Sequence, residues 1–164
     1  MKLNHKRGTK MKNFSFFIFT FLFIMMSTSL WGEFSRDSSG VVADSKSGLA
    51  WQDDYRDNGG EIKKVTWQDA LVYCHELNLG GQNDWRLPNM IELYSLLTDR
   101  SNIITDRINI SSVFQNVSSS FYWSSTTYAS HSSWAWYIGF NSGHGDTKDK
   151  MTDELLVRCV RGGQ

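Results

Sequence analysis

Three stretches of this chain point to an α+β domain. Apolar residues between Trp67 and Leu77 recur at helical spacing. The single proline, Pro88, stands just ahead of a second helical segment. From Phe121 onward the chain turns to aromatic and β-branched runs, the composition of strands. Helices and strands are grouped rather than alternated, which is the α+β arrangement. No tandem repeat is visible.

The first 32 residues differ from the rest. Lys2, Lys6, Arg7, Lys10 and Lys12 form a basic start without an acid, Phe14–Met26 (FSFFIFTFLFIMM) is apolar, and Ser27, Thr28, Ser29 and Gly32 follow. That is the layout of a secretory signal peptide, with cleavage expected after Ser29 or Gly32. The apolar run falls short of the about 20 residues that a spanning helix needs. Met11 begins a tidier signal of its own. We therefore expect residues 1–32 to be removed and residues 33–164 to be one exported domain. It would be periplasmic, on the cell surface or secreted, with no membrane contact after cleavage. The whole chain balances 17 basic against 17 acidic residues; losing five bases with the leader leaves 12 against 17, a net charge of −5. Such an acidic domain argues against nucleic acid as a partner.

Glu33 to Gly40 reads as a short extended lead-in. Val41–Ala43 and Leu49–Trp51 bracket the turn residues Asp44-Ser-Lys-Ser-Gly48, a hairpin pattern. Residues 55–64 (YRDNGGEIKK) read as loop. Thr66 is a good N-cap for the first helix, with Asp69 near its positive end. Trp67, Ala70, Leu71, Cys74 and Leu77 share its inner face, and Gly80 and Gly81 are expected to supply the left-handed stop. Asn89 caps the second helix, with Glu92 three residues on as its capping-box partner. Ile91, Leu93, Tyr94, Leu96 and Leu97 give that helix a broad apolar face. Residues 98–120 lose all periodicity and read as a long loop with one short turn near Val113–Phe114.

Three strands close the chain, at Phe121–Tyr128, Trp134–Phe140 and Leu155–Arg161. In the second, Trp134, Trp136, Ile138 and Phe140 share a face, which on packing alone assigns Trp136 and Trp134 to the core. In the third, Leu155, Val157, Cys159 and Arg161 face one way, and Leu156, Arg158 and Val160 the other. The chain's only two cysteines, Cys74 and Cys159, thus sit on a helix core face and a core strand. In an exported protein such a pair reads as a disulfide; two buried thiols are the alternative.

Five segments together carry a resemblance: SGLAW at 47–51, WQDALVYCHELNLGGQNDWRLPNMIEL at 67–93, YWSSTTY at 122–128, WAWYIGFNSG at 134–143 and VRCVR at 157–161. Their order and spacing, spread over about residues 41–161, resemble the C-terminal domain family of the Legionella collagen-like adhesin. That resemblance implies a C-type-lectin-like fold: two helices packed on small antiparallel sheets, long loops, and terminal strands, here Val41–Trp51 and Leu155–Arg161, that pair and close the domain. RLPNMIE at 86–92 is also similar to a stretch of formylglycine-generating enzymes, which use the same fold. The resemblance further implies a disulfide from the first helix to the last strand. On this view Trp85, Arg86, Leu87, Pro88 and Glu92 form a structural motif. Trp85 plugs the core at the helix joint, Arg86 is a partly buried guanidinium bonded to carbonyls or a carboxylate, and Leu87 and Pro88 fix the turn.

Few constellations carry chemistry. His5 lies in the leader, His75 on the outer side of the first helix, and His131 and His144 in polar loops. No H-x-x-x-H or C-x-x-C spacing exists, so no zinc site is expected. Ser124 and Ser125 lack the glycine elbow of a hydrolase. Two acidic groups, Asp53, Asp54 and Asp57 with Asn58, and Asn141, Asp146, Asp149 and Asp153, match no EF-hand and read as solvated turns. No cofactor is expected; calcium is the one alternative left open, with no specific motif to support it.

A binding surface remains. In lectin-like folds the loops of the last third carry ligands, and here those loops hold Tyr128, His131, Trp134, Asn141, His144 and Asp146. Aromatic rings offer stacking faces, and Asn or His offers hydrogen bonds. Lys63–Lys64 or Lys148 and Lys150 are the basic clusters that a polyanion would need. The expected function is non-catalytic recognition of a glycan or an extracellular protein, as in an adhesin. The alternatives are a diverged enzyme of the formylglycine-generating type and a structural module of a surface assembly.

Overall fold

The computed structural model describes residues 34–97 and 110–163. The expected leader over 1–32, His5 within it, and residues 98–109 of the long loop lie outside the described residues. The remainder is α+β, two helices with two sheets. No helix among the described residues is long and apolar enough to cross a membrane.

The first sheet joins the two ends of the domain. Its strands are β1 (Phe34–Arg36), β2 (Val41–Asp44), β3 (Leu49–Gln52) and β9 (Val160–Arg161), in the order β1-β2-β3-β9. The β2–β3 hairpin lies where its turn residues put it, and β3 pairs antiparallel with β9, Trp51 opposite Val160. The polar lead-in is itself a strand, registered on β2 with Phe34 opposite Asp44. The loop over 55–64 holds a 3-10 turn, Arg56–Asn58, and runs into β4 (Lys64–Val65).

The second sheet has the order β4-β8-β5-β6-β7, with β5 (Phe121–Thr127), β6 (Trp134–Gly139), β7 (Gly145–Asp149) and β8 (Leu155–Leu156). It stands between two apolar clusters. Trp123, Ala135 and Tyr137 face α1 (Trp67–Glu76), whereas Tyr122, Ile138 and Phe140 lie in the cluster that holds Leu93 and Leu96 of the second helical region. The middle of β5 and β6 is therefore buried on both faces. This corrects the simple alternation expected for residues 134–140: Trp134 is 40% exposed and Trp136 half-buried, while Ala135 and Tyr137 of the opposite face are core.

Helix α1 follows its pattern. Thr66 accepts a hydrogen bond from the Asp69 N–H; of the predicted inner residues Ala70, Cys74 and Leu77 are buried in one cluster, and Trp67 and Leu71 pack against it partly buried. Its stop does not use glycine. Leu77 ends the helix in extended backbone, and Gly80 and Gly81, both at positive φ, form a two-residue turn between Leu79 and Gln82. Two consecutive positive φ values are what such a turn requires, and glycine meets them without strain. Helix α2 (Met90–Ser95) has the full capping box expected of Asn89 and Glu92. Its apolar face is narrower than the composition implied: Leu93 and Leu96 are buried, but Ile91 is 81% exposed.

The last strand is broken. Residues expected as one strand form β8 in one sheet and β9 in the other, and Val157, Arg158 and Cys159 cross between them fully buried. Cys159 is bonded to Cys74, 85 positions away in sequence. A closed loop of that size restricts the unfolded chain by roughly 4 to 5 kcal/mol in the chain-entropy treatment.

Candidate functional site

The helix joint is closely packed and hydrogen-bonded. Trp85 is 2% exposed, and its indole N–H donates to the carbonyls of Leu79 and Gln82, the two ends of the glycine turn, at 3.3 and 3.1 Å. Leu87 and Pro88 are buried behind it. Arg86 makes two parallel bonds to Glu92, Nη1 to Oε2 at 2.8 Å and Nη2 to Oε1 at 2.7 Å, and a third to the Gly162 carbonyl at 3.0 Å. Backbone bonds of 2.9 Å in both directions join Arg86 to Val160. Glu92 thus serves the helix cap and the guanidinium together, and the motif fastens the last strand to the joint. Burial acts to raise the Glu92 carboxyl, but the bonds from Arg86 and the Asn89 N–H, with the Arg86 charge, hold it below its ordinary range.

A second arginine–carboxylate pair was not anticipated. Arg158 and Asp53 are both 0% exposed. Arg158 donates to Asp53 Oδ1 at 3.2 Å, to the Gln52 carbonyl at 2.7 Å and to the Asn116 carbonyl, beneath the ring of Phe114. Asp53 also accepts from Arg36 Nε at 2.7 Å and from the backbone N–H groups of Gln115 and Asn116 at 2.8 and 3.1 Å. Asp53 is therefore no solvated turn residue, which corrects the reading of that acidic group. Its oxygens hold the segment 114–116 against the first sheet.

The predicted surface residues divide. Tyr128, His131 and Trp134 gather at the turn from β5 to β6. His131 lies 5.9 Å from Tyr128, nearly parallel at 8°, and 5.9 Å from Trp134. Trp136 joins them edge-on to Tyr128 at 5.6 Å, a neighbour that core assignment had hidden. The turn closes on itself through Tyr128 N–H to the Trp134 carbonyl at 2.9 Å and Trp134 N–H to the His131 carbonyl at 2.9 Å. Asn141 and His144 belong to the β6–β7 connection instead, and Asp146 to the start of β7 beyond it. Trp134 pairs with Asp149 and Ile138 with Gly145, so that connection lies at the other end of β6. At about 3.3 Å per residue, the two ends of this strand are on the order of 15 Å apart.

The aromatic turn is anchored on α1. Lys150 Nζ sits 4.2 Å from the ring centre of Trp67 and donates to Thr127 Oγ1 and the Ser132 carbonyl, both at 2.8 Å. Lys150 N–H holds the Ser133 carbonyl at 2.9 Å, and Trp67 Nε1 holds the Ser124 carbonyl at 2.8 Å. Lys148 pairs with Asp153 at 3.4 Å. Asp149 caps its own turn through the N–H groups of Met151 and Thr152, the contacts that hold its carboxyl below the ordinary range. Of the other basic cluster, Lys63 reaches Asn58 at 3.3 Å and lies 5.9 Å from the Tyr73 ring. Among the described residues no three His, Cys, Asp or Glu side chains come together as a metal-binding group.

The Lcl C-terminal domain family matches residues 40–161. The chain belongs to that family. The match spans β2 to β9, and so takes in the helix joint, the disulfide, the buried Arg158–Asp53 pair and the aromatic turn alike. No curated protein matches the chain. Within the Lcl C-terminal domain of this protein, the aromatic turn is where exposed rings are held by a fixed frame, and it is the candidate functional site.

Proposed function

We propose that this Lcl C-terminal domain is an exported, non-catalytic recognition module of the lectin-like kind. Its contact surface is the turn carrying Tyr128, His131 and Trp134, and its ligand is a glycan or an extracellular protein, the adhesin-related role that the family affiliation favours. The observation that carries this reading is a 40% exposed tryptophan in a ring cluster whose backbone is tied down at both ends. An exposed large aromatic on a rigid turn offers contact area with little ordering cost. The lectin-like assignment draws on the pairing of β3 with the last strand, the disulfide from α1 to the segment just before that strand, and the two capped helices. The disulfide and the basic, apolar start of the chain support export. Chemistry of the formylglycine-generating type needs a thiol, and both cysteines are committed to the bond.

The test is retention of the protein on an array bearing glycans and extracellular matrix proteins, with Tyr128→Ala and His131→Ala run beside Lys63→Ala/Lys64→Ala. We expect the first two to lose retention while melting like the parent. Loss confined to the lysine pair would move the site to β4.

A further inference from the structure

We infer that the aromatic turn takes a neutral sugar, with a pyranose ring stacked on Trp134, and is not a polyanion site. This rests on the recognition reading above and names its ligand class. The charges at this end of the sheet are already spent on the protein itself. Lys150 is covered by Trp67 and bonded to Thr127 and Ser132; Lys148 is paired with Asp153; Asp149 is bonded to its own turn. A sulfated or carboxylated chain would therefore meet no free cluster of cations here, in a domain of negative net charge once the leader is gone.

What the turn does present is aromatic and polar. Trp134 is 40% exposed, His131 is exposed beside it, and Ser130, Ser132 and Ser133 are exposed on the same turn. A pyranose has apolar C–H faces and a rim of hydroxyls. An aromatic face with neighbouring hydroxyl and imidazole groups matches both parts, the ring by stacking and the rim by hydrogen bonds. The surface is also small. A stable protein partner covers about 800 Å² on each side, whereas one hairpin turn with a single open indole suits one or two sugar units.

The experiment uses the full chain expressed for export. Immobilised neutral hexose and N-acetylhexosamine oligosaccharides, heparin and fibronectin serve as probes, each at low and high salt. The expected result is retention on a neutral oligosaccharide that changes by less than about twofold between about 0.05 M and about 0.5 M salt. Trp134→Ala should weaken it on the order of tenfold and Trp134→Phe by less, because the phenyl ring keeps a stacking face. Binding should also shift tryptophan emission in the parent and not in Trp134→Phe. Neutral-sugar binding that survives Trp134→Ala overturns the inference. So does retention on heparin or fibronectin alone, although the recognition reading then stands if Tyr128→Ala abolishes it. Retention on none of the probes overturns the neutral-sugar inference and counts against the recognition reading as well.

Discussion

Two of the arginine–carboxylate pairs of this domain, Arg86–Glu92 and Arg158–Asp53, do the same chemistry in opposite settings. Arg86 and Glu92 are six residues apart in sequence, with side chains 31% and 13% exposed; Arg158 and Asp53 are 105 residues apart, and neither side chain touches water. The first pair is fixed by a local device, the capping box, so its partner lies only six residues away. The second exists because three separate segments, 36, 52–53 and 114–116, converge on one strand crossing. A partly wet pair gains little net energy, since solvent screens it and rebinds the freed groups. A dry pair is costly to break, since the partner left behind keeps its charge without water.

The largest effect should therefore come from the buried pair. Arg158→Met should cost about 3 to 5 kcal/mol, read from chemical denaturation, because the buried Gln52 and Asn116 carbonyls lose their donor and Asp53 keeps only Arg36 as a cation. Asp53→Leu should cost at least as much, since the Gln115 and Asn116 N–H groups lose their acceptor as well. If either variant unfolds at the parent's denaturant midpoint, the buried pair is not the lock described here.

Trp85→Ala should follow closely, at about 3 to 5 kcal/mol, the usual range for a buried large aromatic. If it melts like the parent but loses ligand, the helix joint is a binding site and not a structural motif. Removing the disulfide with Cys74→Ser/Cys159→Ser should cost about 2 to 5 kcal/mol, measured under non-reducing conditions.

The wetter pair should show smaller effects. Asn89→Ala removes the cap and should cost about 1 kcal/mol. Glu92 is depressed in the folded state, so its contribution is complete above the unfolded value near 4.5 and fades as pH falls through the lower folded value. Unfolding free energy measured from neutral pH downward should fall below about pH 4.5, and Glu92→Gln should remove part of that slope. A Glu92→Gln profile parallel to the parent's would show that the pair contributes nothing measurable. The smallest effect belongs to the exposed turn. Lys150→Met removes a cation from the Trp67 face and should change stability by under about 1 kcal/mol. Its consequence should instead be loosened order at Tyr128–Trp134, read by amide exchange at those residues.

The sequence by itself determined what neighbours in the chain decide. The two helices, their caps at Thr66 and Asn89, the first hairpin and the Arg86 motif all follow from side chains three to six residues apart acting on nearby backbone. Family membership and the disulfide were legible too, because each rests on residue identities at fixed spacing. Only the tertiary structure decided which face of β6 is inside. Clusters pack against both sides of the sheet, so alternation between polar and apolar could not mark Trp134 as open or Tyr137 as closed. It likewise split the expected surface, since an antiparallel meander sends successive turns to opposite ends of its strands. And it made Asp53 and Arg158 a buried lock, a role that depends on the fold drawing distant segments out of water together, which the spacing of charges along a chain does not encode.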